Sequence, residues 1–382
     1  MPSTTVAVIG GGISGLAAAY QLHQQDTSFV LIEKSDRLGG LILTEKTDDF
    51  TIDAGPDSLL VQKPAAIELC VELGLQNQLV STLTPRTAYI VRDGILHPIP
   101  QGSVFGIPTN LESLLASGYL SKQAKIRMAE DLVIPPKLDE SDESVGSFFR
   151  RRFGNEAVAY LATPLLAGIH AGNVEHLSMR ALFPRLVKAE TEHGSVIRGF
   201  RNRRSDATSS AASHGVFRSL TGGLHTLTNA LAQALPRSSI KYGTDVTNIS
   251  DSGPFTVSFS SGENLSVDKV ICATPSYVTA SVVQSLNPEL SRLLSSIPYT
   301  SIATIATSYP RAAINHALNG TGFVVPETES PLSITACTWI SSKWPGRSPD
   351  GHVLLRSFVG GARAPEALDQ SDHALTKSVQ ND

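Results

Sequence analysis

The stretch VAVIGGGISGLAAAY, residues 6–20, leaves few folds open to the chain that carries it. An apolar run of strand length enters four glycines within six residues, Gly10, Gly11, Gly12 and Gly15, and leaves as an Ala-rich helix. A turn built for packing alone does not call for so many; a backbone that a ligand must approach does. The spacing Gly10-x-Gly12-x-x-Gly15 between a strand and a helix predicts a dinucleotide-binding turn. Gly10 permits the tight turn, Gly12 lets the backbone approach a pyrophosphate, and Gly15 lets helix and strand pack closely. The backbone N–H groups of Ile13 and Ser14 at the helix start then face the negative charge. SFVLIEK supplies a second strand, and Glu33 at its end, eighteen residues past Gly15, is placed to accept hydrogen bonds from an adenosine ribose.

The residues after Glu33 separate NAD from FAD. KSDRLGG brings Lys34, Arg37, Gly39, Gly40 and then Leu41, and ILTEKTDDFTIDAG reads as a hairpin turned at Thr47-Asp48-Asp49. After it comes DAGPDSL, with Gly55, Pro56, Asp57 and Ser58. Two further glycine turns returning to one nucleotide fit a long dinucleotide laid across the sheet, with Gly40 and the Gly55-Pro56 turn along the pyrophosphate and flavin side. FAD is therefore the expected cofactor, and Val246 joins these residues as an expected contact.

A chain of 382 residues with 41% hydrophobic residues is long enough for two or more domains with buried cores. A formal net charge of −4 gives no basic field, so no nucleic-acid partner is expected. Cys70, Cys272 and Cys337 each sit in an apolar run and read as buried reduced thiols, which favours a cytoplasmic location. The N-terminus lacks a signal peptide's basic and apolar regions, and no run reaches the roughly 18 apolar residues of a spanning helix.

KPAAIELCVELGL reads as a helix stopped by Gly74, and from about residue 104 the pattern turns helical, with Ser121 as a cap before KQAKIRMAEDLV. SFFRRRFGNEAVAYLATPLL continues that block, and RGFRNRRSDATSSAASHG reads as an exposed loop. IKYGTDVTNIS, FTVSFSS and ENLSVDKVICATP alternate as an antiparallel meander, with a turn at Ser261-Gly262. Asn287 caps a helix that opens on Pro288, and TSIATIATSY, GFVVP, LSITACTWI and HVLLRSFVG are strands of a mainly antiparallel sheet. Arg150, Arg151 and Arg152 read as a solvated helix face rather than a lipid contact. His97 and His170 read as packed or solvent-bonded rather than as bases, and no metal-ligand set is expected.

GGGISG, EKSDRLGG and DAGPDS, together with residues 147–184, whose RRxxG, GIxAGN and LS elements narrow the match, resemble the protoporphyrinogen oxidase family of flavin-dependent porphyrinogen oxidases. That family lies within the wider amine oxidase and phytoene desaturase group. The Gly-Gly-Leu of 222–224, GFVVP, ITACTW and KWP agree in order and spacing, and the last two are nearest to the Gram-positive-like branch, in which coproporphyrinogen can be the substrate. Family members continue into a glycine-rich strand and helix that cover the flavin ring; this chain ends at KSVQND, so it looks C-terminally truncated.

The resemblance implies an α/β fold with a Rossmann-like FAD-binding domain, a mixed-sheet substrate domain and an inserted helical domain. The expected boundaries are 1–80 and 213–285 for the FAD domain, 81–103 and 286–382 for the substrate domain, and 104–212 for the insertion. It implies FAD-dependent oxidation of protoporphyrinogen IX in heme biosynthesis, with dioxygen as acceptor and hydrogen peroxide as product; coproporphyrinogen III is the alternative substrate. The flavin carries the chemistry, so no catalytic side chain is expected. Arg86 matches a propionate-binding arginine, Gly168 and Gly172 match backbone positions beside the macrocycle, and Thr321, Gly322 and Val324 match a strand that sandwiches it. Without the family, Arg86 reads as a surface arginine and the two glycines as helix stops. A homodimer and a peripheral membrane contact through residues 105–120 and 158–169 are further expectations. An amine oxidase or carotenoid desaturase of the same fold, and a non-catalytic nucleotide- or porphyrin-binding remnant, stay open.

Overall fold

The computed structural model describes residues 5–100, 103–104, 106–108, 111–139, 141–167, 170–206, 215–251, 253–329 and 331–382. The chain forms two units, Met1–Ser81 with Val216–Tyr299, and Thr82–Gly215 with Thr300–Asp382.

The first unit grows from the opening stretch. β1 (Val6–Ile9) is buried along its whole length, as a central parallel strand covered on both faces must be. α1 (Ile13–Gln24) and β2 (Phe29–Ile32) complete the strand-helix-strand unit, and β2 pairs with β1 in parallel register. The sheet has four strands, Ile240–Lys241, β2, β1 and Lys269–Cys272 in that order. Val6, Val8 and Leu31 pack on one face with Leu16 and Ala19 of α1 and with Leu231 and Leu235; Ala7, Ile9 and Ile32 pack on the other with Val246, Val257, Phe259 and Val267. The alternation along each strand thus feeds two cores at once.

Two strands divide differently from the sequence reading. ENLSVDKVICATP was expected to be one strand of the meander, but it breaks at Asp268: Asn264–Val267 pairs antiparallel with Phe255–Phe259, whereas Lys269–Cys272 pairs parallel with β1. The Asp268 carboxylate accepts the Thr5 N–H at 2.8 Å at the crossover, which fixes the switch between sheets. Ile240–Lys241 likewise leaves the meander for the parallel sheet. As the open edge strand, Lys269–Cys272 leaves Cys272 exposed; only Cys70 and Cys337 are the buried thiols expected. The hairpin is as predicted: β3 (Thr44–Thr47) and β4 (Phe50–Asp53) are antiparallel, with Thr47 opposite Phe50.

In the second unit a six-stranded sheet runs in the order 302–310, 352–360, 334–339, 322–324, 88–92 and 95–98. It is antiparallel except where Gly322–Val324 lies parallel to Ala88–Arg92. Phe323 packs with Trp339 and Cys337 on one side, and Val324 packs against the helical core on the other. That core gathers Ile107, Phe148, Phe149, Phe153, Leu161, Leu166, Leu186 and Phe200. The Ser121 hydroxyl caps the helix Lys122–Ala129 as expected. The block expected to be helical is so, in pieces: Val145–Phe153 stops at Gly154, and Val158–Ala167 is a π-helix that accommodates Pro164.

The arginine run is a solvated face only at Arg150, which is exposed. Buried positions 145, 148, 149, 152 and 153 form one stripe of the helix, and Arg152 lies on it, fully buried. Its guanidinium meets the buried Asp131 carboxylate at 2.5 Å and the Gly194 carbonyl at 3.1 Å, while Ser195 Oγ and the Ile197 N–H complete the Asp131 carboxylate. Arg151 pairs with Glu143 and Glu190, and Arg150 with Glu175. Burial pushes the Glu190 carboxyl up, but hydrogen bonds from Arg151 and the Lys137 N–H outweigh it and hold the group below the usual carboxylate range. Much of the apolar runs set against a membrane is core as well, since Ile107, Leu114, Tyr119, Leu120, Leu161, Ala162 and Leu166 are buried; Phe105, Gly168 and Ile169 lie outside the described residues. Among the described residues no helix is long and apolar enough to cross a membrane.

Candidate functional site

The glycines of the first turn differ in what imposes them. A Cβ at Gly15 would lie 1.8 Å from the Gly10 carbonyl oxygen, and one at Gly11 would lie 2.4 Å from the Leu38 side chain and 2.9 Å from Glu33 Oε2. Gly10 has φ +104°, and a Cβ there would lie 3.0 Å from the Ala273 carbonyl oxygen. Packing and backbone geometry explain all three. They do not explain Gly12, whose φ of −69° and ψ of −179° suit any residue and whose Cβ would meet no protein atom within 4 Å. Close approach of a ligand to this backbone does explain it. Ahead of α1 no side chain caps the helix and no acid stands in its first turn, so Ile13, Ser14 and their neighbours present N–H groups to an anion.

The other expected cofactor residues converge on this turn. Glu33 Oε2 accepts the Gly11 N–H at 2.6 Å, and Oε1 accepts the Ser35 N–H and hydroxyl, each at 2.8 Å. A carboxylate offers about four acceptor sites, so with three taken it is a fixed group with one left over. Gly39 donates to the Gly11 carbonyl at 2.8 Å, and Gly40, at φ +57°, comes within 3.1 Å of Gly12 Cα at its Cβ position. Arg37 donates to the Gly40 carbonyl at 2.8 Å, which holds the turn and keeps a cation beside it. The Leu41 side chain is 89% exposed while its carbonyl lies 2.0 Å from where a Cβ of Gly55 would be, which ties the second glycine turn to the first. Pro56 is exposed, Asp57 is buried, and Ser58 Oγ donates to Asp57 Oδ1 at 2.6 Å.

Lys34 and Val246 stand apart from this cradle. The Lys34 ammonium pairs with Asp245 at 2.9 Å on the surface, and the Val246 side chain is committed to the core, which leaves its backbone for a ligand. The Thr244 N–H still donates to the Glu33 carbonyl at 2.9 Å, so this segment runs beside Glu33. Sequence reasoning missed Ala273 and Thr274, which close over Gly10, and Thr228, whose hydroxyl lies 3.1 Å from the Cβ position of Gly39.

In the second unit Arg86 donates from Nε to Thr82 Oγ1 at 2.8 Å and from a terminal nitrogen to the Thr82 carbonyl at 3.2 Å. Gly215 makes room for this pair, since a Cβ there would lie 2.7 Å from Arg86 Nε. Thr321 joins the same place: its N–H donates at 2.8 Å to the carbonyl of Thr87, the residue after Arg86. Gly322, at φ +135°, is imposed by the Cys337 carbonyl 2.2 Å from its Cβ position, and Val324 faces the helical core. Gly172 packs against Leu177, next to Ala171, which accepts the Ala362 N–H. His97 packs against Gly118, and the exposed His170 meets the Phe183 ring edge-on at 6.0 Å.

A parallel strand-helix-strand unit with a ligand-approachable Gly12, a carboxylate at the end of the second strand and two further glycine turns defines a dinucleotide-binding fold. A family model for flavin containing amine oxidoreductase matches residues 13–382. Coproporphyrinogen III oxidase of Bacillus subtilis (strain 168) is 37% identical over 387 residues, covering 99% of this chain and 82% of the relative. Mitochondrial protoporphyrinogen oxidase of Nicotiana tabacum is 29% identical, covering 99% of this chain and 79% of the relative. A crystal structure from Exiguobacterium sp. 255-15, assigned as a protoporphyrinogen oxidase, superposes with a TM-score of 0.87 at 34% identity and covers 100% of this chain and 82% of its own. The chain belongs to the flavin containing amine oxidoreductase family, in its porphyrinogen oxidase group, and its cofactor is FAD.

Proposed function

We propose that the protein oxidises a porphyrinogen to the porphyrin in heme biosynthesis, with dioxygen as final acceptor and hydrogen peroxide as product. The 37% identity to the B. subtilis coproporphyrinogen III oxidase across 99% of the chain carries this reading. It also favours coproporphyrinogen III over protoporphyrinogen IX, because the tobacco protoporphyrinogen oxidase stands at 29%. FAD, when bound, supplies the acceptor for the hydrogen removed from the macrocycle. The chain's own residues then bind and orient: Glu33 holds the ribose, the α1 N–H groups the pyrophosphate, and the Gly40 and Gly55 turns the stretch toward the flavin. Arg86, oriented by Thr82, holds a substrate carboxylate; Thr321 beside it, Gly172, Gly322 and Val324 bound the space for the macrocycle. Gly168 is part of the same proposal and lies outside the described residues. The three-part domain division, a homodimer and a peripheral membrane contact belong to it too; Leu115, Ile126, Val133 and Leu138 are apolar and exposed on the helical part and support the last.

The test is porphyrin fluorescence on turnover of both substrates, with flavin released by denaturant to give cofactor content. Coproporphyrinogen III is expected to show the higher kcat/KM. Arg86→Ala is expected to raise KM roughly 10- to 100-fold, the worth of one charge-assisted carboxylate pair, with an unchanged flavin spectrum. Arg86→Lys should not restore it, because an ammonium lacks the planar fork. An unaltered KM would remove the carboxylate role, and flavin without turnover of either substrate would remove the activity.

A further inference from the structure

We propose that Asp53 is a positioning residue for the FAD cradle, acting by capping from another part of the chain the helix His225–Ala234. The inference rests on FAD as the cofactor and concerns a residue that touches no cradle glycine of the first turn. Leu224, at the start of this helix, offers no side-chain cap, and the first turn carries no acid. The hairpin supplies the cap instead. Asp53 Oδ1 accepts the Leu224 N–H at 2.9 Å and the Thr44 hydroxyl at 2.5 Å, and Thr44 Oγ1 in turn accepts the His225 N–H at 3.1 Å. Thr44 and Asp53 face each other at the open end of β3 and β4, so the pairing register places both acceptors under the helix start. The His225 ring adds a contact from Nδ1 to the Ile42 carbonyl at 3.2 Å. Gly223 completes the fit: at φ +88°, a Cβ there would lie 2.3 Å from Thr44 Cγ2.

The capped helix holds the cradle from two sides. Leu231 and Leu235 pack with Leu16 and Ala19 of α1, and Thr228 lies against Gly39, whose N–H reaches the Gly11 carbonyl. Asp53 is 6% exposed, so its carboxylate sits against the positive end of this helix with little competition from water. Without it the Leu224 N–H loses its acceptor and Thr44, which accepts the His225 N–H, loses the bond that orients it, so the cradle is assembled for a smaller share of the time. Apparent affinity falls by that share, since only the assembled form binds.

The experiment titrates FAD into flavin-stripped wild type, Asp53→Ala, Asp53→Asn and Thr44→Val, following quenching of flavin fluorescence, with urea unfolding of each apoprotein alongside. Asp53→Ala is expected to weaken FAD about tenfold, which corresponds to a cradle assembled about one tenth of the time. Asp53→Asn keeps the Oδ1 acceptor and should stay within about threefold of wild type. Thr44→Val should move in the direction of Asp53→Ala and provides the loss arm if Asp53→Ala does not fold. A lowered apoprotein stability with an unchanged FAD dissociation constant would make Asp53 a plain structural brace and overturn the inference. So would Asp53→Asn binding as weakly as Asp53→Ala. Failure of the wild type to bind FAD would remove the cofactor assignment itself, before any variant is compared.

Discussion

Replacing Gly12 by alanine separates what the fold needs from what the cofactor needs. The residue has φ −69° and ψ −179°, and its new methyl would meet no protein atom within 4 Å. Alanine at such a site restricts the unfolded chain, so the apoprotein should be unchanged or more stable by about 0.4–1 kcal/mol. The FAD complex should suffer, because the methyl occupies space needed for the pyrophosphate to reach the N–H groups of α1. Losing one charge-assisted hydrogen bond costs about 1.5–3 kcal/mol, or roughly 10- to 150-fold in the dissociation constant. Gly15→Ala is the contrast, since its Cβ would fall 1.8 Å from the Gly10 carbonyl oxygen. That overlap should cost the apoprotein about 1–3 kcal/mol or more. Urea unfolding of the flavin-free proteins and FAD titration read the two effects independently. Gly12→Ala with wild-type FAD affinity, or with an apoprotein destabilised as much as Gly15→Ala, would refute the reasoning that residue 12 is glycine for the ligand's sake.

Arg152→Met should destabilise the protein by about 3–5 kcal/mol, because it leaves the Asp131 carboxylate buried without its cation; urea unfolding at neutral pH measures this, and a change under about 1 kcal/mol would mean that water reaches the pair. Of the three cysteines, Cys272 should react first with a thiol reagent in the native protein, because its residue is exposed, although local burial pushes its thiol up and slows it. Cys70 and Cys337, each pushed up to about 11 by burial, should react only on unfolding, so three fast thiols would contradict the packing around them.

Features that depend on neighbours in the chain were legible beforehand. The hairpin at Thr47–Asp49, the Ser121 and Asn287 caps and the turn at Gly262 each follow from a few adjacent residues, and each is found in the structure. Arg152 was legible in part: it falls on the stripe of Val145, Phe148, Phe149 and Phe153, but the charge run hid the periodicity, and its partner Asp131 stands 21 residues away. The split at Asp268 was not legible, since both halves of ENLSVDKVICATP have strand character and only the available partners decide which sheet each joins. Asp53 carried no signal of its role because the helix it caps begins 171 residues later at Leu224.

By itself the sequence determined the strand-glycine-helix unit, the acid after the second strand and the order of glycine turns, because steric limits on the backbone and the reach of an N–H group act within a few residues. Only the tertiary structure decided which of those glycines serve packing and which the ligand, as Gly15 against Gly12 shows. It also decided which carboxylates neutralise Arg150, Arg151 and Arg152, and that a hairpin caps a distant helix. Burial forces each polar group to find a partner, but the identity of that partner is set by which distant segments the fold brings within hydrogen-bonding reach.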